Sequence, residues 1–122
     1  MPSQFNRGDI FYADFPFEEN SGKSKERTVF VWGIHPNGEE VLASKITSVI
    51  RGLKWEVLLS PGTHSGIKKL CVVRVDQTRY LSIRAFCIPL LGTLNPFEIA
   101  AVEQLFREFT SPPAKENSPT ST

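Results

Sequence analysis

At 122 residues the chain is long enough to bury a core without disulfide or metal staples, and too short for a repeat array or a second full domain. Hydrophobic residues at 40% and charged residues at 22% fit a soluble globular protein and exclude a disordered or fibrous one. A net charge of +1 argues against a uniformly basic surface, but the layout is uneven: between Ser44 and Arg84 stand eight Lys and Arg residues against only Glu56 and Asp76.

The chain opens Met1-Pro2-Ser3-Gln4-Phe5-Asn6-Arg7-Gly8-Asp9, without an apolar signal region, and its longest apolar runs are far too short to span a bilayer. A cytoplasmic protein with no membrane contact is expected. Apolar and period-two runs then recur at Asp9–Phe15, Thr28–Ile34, Glu40–Ile46, Lys54–Leu59, Leu70–Asp76 and Phe86–Thr93, which predicts six short strands. Pro36-Asn37-Gly38 is a hairpin turn between the second and third, and Ser60-Pro61-Gly62-Thr63 ends the fourth. Between the first two strands lies a polar loop, Glu18 to Arg27, of the length that is usually functional or disordered. Arg27, which closes it, is either a solvated strand end or an anchor at the rim of a groove. Cys71 and Cys87 fall in apolar strands and read as small buried hydrophobes of a reducing compartment. Ser82-Ile83-Arg84 is expected to form a brief helical turn.

One helix is marked by Asn95 as N-cap, Pro96 at the first helical position and Glu98 in place to complete a capping box, and it should run to about Phe109. Ile99, Val102, Leu105, Phe106 and Phe109 form its apolar stripe, expected to face the core. Residues 111–122 carry no large apolar side chain and are expected to form a disordered tail after one domain spanning 1–110. The fold class is thus mainly β (α+β): a small barrel or strongly bent sheet of about six antiparallel strands with a C-terminal helix.

Chemistry concentrates in Leu70-Cys71-Val72-Val73-Arg74-Val75-Asp76-Gln77-Thr78-Arg79. Alternation along a strand puts Arg74 and Asp76 on one face and Val73 and Val75 on the other. Such a pair is either a surface ion pair of little energetic worth or an acid/base and charge-stabilising pair acting on a polyanion. His35 and His64 lie in separate turns, and no Cys, His and carboxylate spacing suggests a zinc site. The phosphate loop, the nucleophile elbow and the dinucleotide fingerprint are missing too, so neither metal nor cofactor is expected.

Three segments together resemble the MazF/PemK/Kid family of toxin endoribonucleases of bacterial toxin–antitoxin systems. Arg7-Gly8-Asp9-Ile10-Phe11-Tyr12-Ala13-Asp14-Phe15 is similar to the family's opening strand, and Arg27 takes the place of the arginine that ends its polar loop. Ile46-Thr47-Ser48 is similar to the family's strand-ending Thr-Ser pair, and Arg74-Val75-Asp76-Gln77-Thr78-Arg79 to the Arg-x-Asp-Gln-x-Arg segment of the Kid branch. The resemblance implies a homodimer of SH3-like barrels that cleaves single-stranded RNA at short sequences without a metal and is bound by a cognate antitoxin. Residue by residue it implies Arg27, Thr47, Arg74 and Asp76 as catalytic, and Ser21, Ser48, Trp55, Val72, Gln77 and Arg79 as RNA contacts. Three features depart from the pattern: Thr28 follows Arg27 where proline is usual, the loop reads Ser21-Gly22-Lys23-Ser24-Lys25-Glu26 where a Glu-Gln-x-Gly pattern is common, and Ser21 stands where the Kid branch has a histidine.

The implied reaction is attack of the substrate's 2′-hydroxyl on the neighbouring phosphorus, leaving a 2′,3′-cyclic phosphate and a free 5′-hydroxyl. Asp76 would take the hydroxyl proton, although an unperturbed carboxylate, pKa ~3.9, is a weak base without partial burial. Arg74 and Arg27 would clamp the phosphorane oxygens, Thr47 would orient one of them, and Trp55 is either a stacking platform or a half-buried strand aromatic. Competing expectations are a non-catalytic member of the fold, acting as a regulator or as a CcdB-like gyrase-binding protein, and an unrelated SH3-like peptide-binding module with no need for Asp76.

Overall fold

The computed structural model describes residues 5–16 and 24–111. Six strands, β1 (Asp9–Pro16), β2 (Ser24–Ile34), β3 (Glu40–Thr47), β4 (Glu56–Leu59), β5 (Cys71–Ser82) and β6 (Phe86–Thr93), precede one helix, α1 (Pro96–Thr110). All pairings are antiparallel and the strand order is β4-β5-β3-β2-β1-β6. The class and the C-terminal helix are as expected from the sequence. Closure differs: β4 and β6 are the two edges of an open ladder rather than partners in a closed barrel. The gap is seamed by the loop after β4, where Gly62 and Ile67 form a bridge and Thr93 N at the end of β6 donates to His64 O at 2.9 Å.

Alternation along the strands feeds two apolar clusters, one on each face of the sheet. On β2, Phe30 and Trp32 enter the cluster under α1, while Val29 and Val31 enter the second, with Phe5, Phe11, Val41, Leu81 and Phe86. Val102 of α1 is fully buried in the first cluster, and Ile99, Leu105 and Phe106 pack against it. Phe109, the last residue of the stripe, is 39% exposed and packs against the rings of Trp55 and Phe106. The start of α1 follows the local signals closely: Asn95 Oδ1 accepts from Glu98 N at 2.8 Å, and Glu98 Oε1 accepts from Asn95 N at 3.0 Å.

Three sequence expectations are corrected. β5 does not end at Asp76 but continues through Ser82, because its second half pairs with β3 from Ser44 back to Glu40. β2 begins at Ser24, so Ser24 to Arg27 are strand, paired with β1, rather than loop. Cys71 is buried as expected, but Cys87 is exposed: it pairs with the exposed Tyr12, whereas its neighbour Phe86 pairs with Ala13 and is buried. The expected tail lies outside the described residues, apart from Ser111, which caps α1.

β5 also carries a bulge that alternation along the chain does not reveal. Thr78 opposes Ser44 and Arg74 opposes Lys45, so Val75, Asp76 and Gln77 occupy a single step of the β3 partner. Val75 stays in the core, and its N–H donates to Trp55 O at 3.0 Å.

Candidate active site

Arg74 and Asp76 lie on the same face of β5, and the bulge lets them close on each other. Arg74 Nε donates to Asp76 Oδ1 at 3.0 Å and Nη2 donates to Oδ2 at 2.8 Å, a bidentate arrangement. Their side chains are only 14% and 25% exposed, so this is not the loosely solvated ion pair that contributes little. Lys45 faces Arg74 directly across the β3–β5 ladder. Two cations opposite each other repel, and the Asp76 carboxylate offsets part of that repulsion.

Arg74 opens onto a groove of about 820 Å³ whose walls come from β2, β3, β5 and the segment before β5. Arg27 and Thr28 of β2, Thr47 and Ser48 at the end of β3, and Arg74 and Gln77 of β5 all line it. Thr47 Oγ1 accepts from Val49 N at 3.1 Å, which ends β3 in a tight turn and leaves the hydroxyl proton for an acceptor in the groove. Six cations line the cavity, Arg27, Lys45, Arg51, Lys68, Lys69 and Arg74, and Glu26 is the one carboxylate among the lining residues. Lys45, Arg51, Lys68 and Lys69 were not singled out by motif; their signal in the sequence was the excess of basic residues between Ser44 and Arg84. Arg51 is carried on a loop folded around one acid: Glu56 accepts from the backbone N–H groups of Arg51, Gly52 and Leu53 at 2.9 to 3.2 Å.

Other candidates lie elsewhere. Trp55 packs against Phe109 of α1 with ring centroids 5.1 Å apart, and Lys54 Nζ sits 4.6 Å from its ring centroid, so its ring faces the helix rather than the groove. Val72 is 1% exposed, so its side chain is closed to any ligand. Arg79 is exposed but opposes Ala43 beyond the bulge, outside the groove lining. Ser21 lies outside the described residues.

Neither histidine lines the groove: His35 Nδ1 accepts from Asn37 N, and His64 pairs with Glu98 at 2.9 Å. At the groove's edge the Cys87 thiol hydrogen-bonds Glu26 at 3.1 Å, and that contact pushes its pKa up. Burial pushes the Cys71 thiol up as well. Both thiols are therefore held in the poorly nucleophilic form. Among the described residues no three His, Cys, Asp or Glu side chains converge as metal ligands would, and no helix is long and apolar enough to cross a membrane. What the arrangement offers is a cationic trough for a polyanion, with a guanidinium fixed by a carboxylate in its wall.

Residues 6–110 match the family model described as PemK-like, MazF-like toxin of type II toxin-antitoxin system. Among solved structures, the Mycobacterium tuberculosis toxin MazF-mt6 is 21% identical and superposes with a TM-score of 0.66 over 82% of this chain and 93% of its own. MazF from Deinococcus radiodurans is 20% identical, with a TM-score of 0.69 over 85% of this chain and 94% of its own. An endoribonuclease in complex with its cognate antitoxin, from a mycobacterial species, is 14% identical, with a TM-score of 0.64 over 88% of this chain and 97% of its own. At these identities the likeness is one of fold. A search of curated proteins found no match.

Proposed function

The chain belongs to the PemK-like, MazF-like toxins of type II toxin–antitoxin systems, and from that premise we propose that its groove is the active site of a sequence-specific, metal-independent endoribonuclease acting on single-stranded RNA. The observation that carries this reading is Arg74, one of six cationic side chains lining the groove, held in a bidentate grip by Asp76 behind it. A negatively charged phosphodiester is the natural occupant of such a trough, and transition-state charge at phosphorus is what fixed guanidinium groups stabilise best.

The 2′-hydroxyl oxygen attacks phosphorus, the bond from phosphorus to the 5′-oxygen breaks, and the products are a 2′,3′-cyclic phosphate and a 5′-hydroxyl. Arg74 and Arg27 neutralise the non-bridging oxygens as the pentacoordinate state forms, and the Thr47 hydroxyl donates to one of them. Asp76 is one-quarter exposed but not among the groove-lining residues; it holds Arg74 in orientation and, on a lone pair that Arg74 leaves open, accepts the 2′-hydroxyl proton through one bridging water. Asp76 releases its proton to solvent, and a water held by the groove's guanidinium groups, which stay charged throughout, protonates the departing 5′-oxygen. Because the nucleophile belongs to the substrate and the guanidinium groups supply positive charge, no step calls for a metal ion. Ser48 and Gln77, at the groove edges, contact the RNA beside the scissile phosphate.

The reading extends to partners and place. A cognate antitoxin is proposed, since a structurally similar endoribonuclease was solved in complex with its own, and a homodimer is proposed beside it. The exposed apolar residues Val49, Ile50 and Leu53 beside the groove, and Ile88 and Leu90 on β6, are surfaces such partners would cover. The working unit is one SH3-like domain over residues 1–110, a span supported by the family match at 6–110, and it acts in the cytoplasm, where its substrate is found.

The experiment is to incubate the purified protein with a long single-stranded RNA in EDTA and map the new ends. Discrete ends at a short common sequence are expected. Intact RNA at enzyme concentrations that saturate binding would contradict the reading and favour a regulatory or gyrase-binding role.

A further inference from the structure

The bulge that shapes the Arg74–Asp76 pair is tied to the interior by a chain of side-chain hydrogen bonds. Trp32 Nε1 donates to Ser44 Oγ at 2.8 Å, Ser44 Oγ is in short contact with Thr78 Oγ1, and Thr78 Oγ1 donates to Val75 O at 2.7 Å. The direction of the chain is forced. An indole N–H can only donate, and the single Thr78 proton is committed to a carbonyl that can only accept, so the Ser44 proton must go to Thr78. Every donor then has its acceptor, as a buried polar network requires.

Both ends of this chain lie at irregularities in the sheet. Trp32 sits at the β2 bulge between Val31 and Gly33, which points its indole toward β3, and Thr78 closes the β5 bulge. Ser44, fully buried on β3, bridges the two. The last acceptor is the informative one: the Val75 carbonyl shares a peptide plane with the Asp76 N–H. Fixing that carbonyl aims the Asp76 backbone, and with it the carboxylate that orients Arg74.

We propose that Ser44 and Thr78 are positioning residues for the cleavage reaction, acting through the Val75 carbonyl on the Arg74–Asp76 pair. The proposal rests on the endoribonuclease reading of the same groove. Neither hydroxyl lines the groove, so removing either acts on the reaction only indirectly, and a fall in kcat accompanied by faster exchange at Arg74 assigns the route to the pair.

The test compares Thr78→Val, which keeps the shape and removes the donor, with Thr78→Ser, which keeps the donor and loses the methyl group. With a short RNA oligonucleotide carrying the mapped cleavage site, Thr78→Val should lower kcat by about tenfold to a hundredfold, the scale of a small misplacement of a reacting group, with KM little changed. Thr78→Ser should recover most of the rate. Wild-type kcat in Thr78→Val, or equal loss in both variants, overturns the proposal. If Thr78→Val does not fold, Ser44→Ala is judged by its own kcat in the same way. A second readout is independent of cleavage: hydrogen exchange at Arg74 Nε–H by NMR should be slow in the wild type and Thr78→Ser and fast in Thr78→Val. If the wild type cuts no RNA, the endoribonuclease reading fails by itself and this exchange decides the positioning claim, equal rates in all three overturning it.

Discussion

Arg74→Ala is expected to lower kcat for RNA cleavage by at least about 10² to 10³-fold, the usual cost of deleting one transition-state donor, while leaving the fold intact. The guanidinium lies in the groove wall rather than among core side chains, so its removal opens no apolar cavity. Arg74→Lys should recover little. A lysine keeps the charge but cannot donate to both Asp76 oxygens and face a phosphate in one planar fork. Asp76→Asn should also be severely impaired, because an amide offers one acceptor where Arg74 now meets two. Steady-state kinetics on a defined oligonucleotide, with circular dichroism to confirm folding, check all three. Near-wild-type rates in Arg74→Ala would mean that the pair is structural.

The second large effect is on stability. Gly92→Ala is expected to cost about 3 kcal/mol, the upper end of what overpacking does, and to lower the melting temperature by roughly 10 °C or more. A methyl group at Gly92 would collide with the backbone of the loop after β4, meeting His64 O and the Ser65 carbonyl carbon, and lying 2.7 Å from Ser65 Cα. Backbone atoms cannot rotate aside as a side chain does. The same loop presses on β6 at a second point, where Gly66, at φ +77°, would bring a Cβ within 2.6 Å of Leu91 O. This seam stands in for the missing β4–β6 ladder, and Gly66 and Ile67 belong to the groove wall together with the adjacent Lys68 and Lys69. Thermal denaturation of Gly92→Ala measures the effect, and an unchanged melting temperature would show that the seam is dispensable.

The parts of this fold written in local chemistry were legible in the sequence. The start of α1 needed only Asn95, Pro96 and Glu98, because a helix end is satisfied by its own neighbours. The shared face of Arg74 and Asp76 needed only the two-residue period of a strand. What could not be read was set by non-local pairing. The β5 bulge exists because Ser44 and Lys45 of β3 select Thr78 and Arg74 as partners, and nothing between positions 74 and 78 announces it. Trp55 was open to two readings, and its environment depended on where Phe109 of a distant helix came to rest. Cys87 lies in an apolar run and is exposed because it stands beside Tyr12, itself 43% exposed on the interior strand β1, on a face that no other element covers there among the described residues. Five of the six groove cations were visible as a charge excess between Ser44 and Arg84, and Arg27 as the end of the polar loop, but which basic residues face one cavity was decided by the sheet. Lys45 and Lys68 do; Arg79 does not.

The central claim is that this groove promotes attack by the RNA's own 2′-hydroxyl. Two oligonucleotides, identical except for a single 2′-deoxyribose on the 5′ side of the mapped scissile phosphate, should be incubated with the wild-type protein in EDTA and the products resolved by mass spectrometry. The all-ribose strand should yield a 2′,3′-cyclic phosphate and a 5′-hydroxyl, and the substituted strand should bind and remain whole. Cleavage of the substituted strand at the same position, or a 5′-phosphate on the product, would contradict the account.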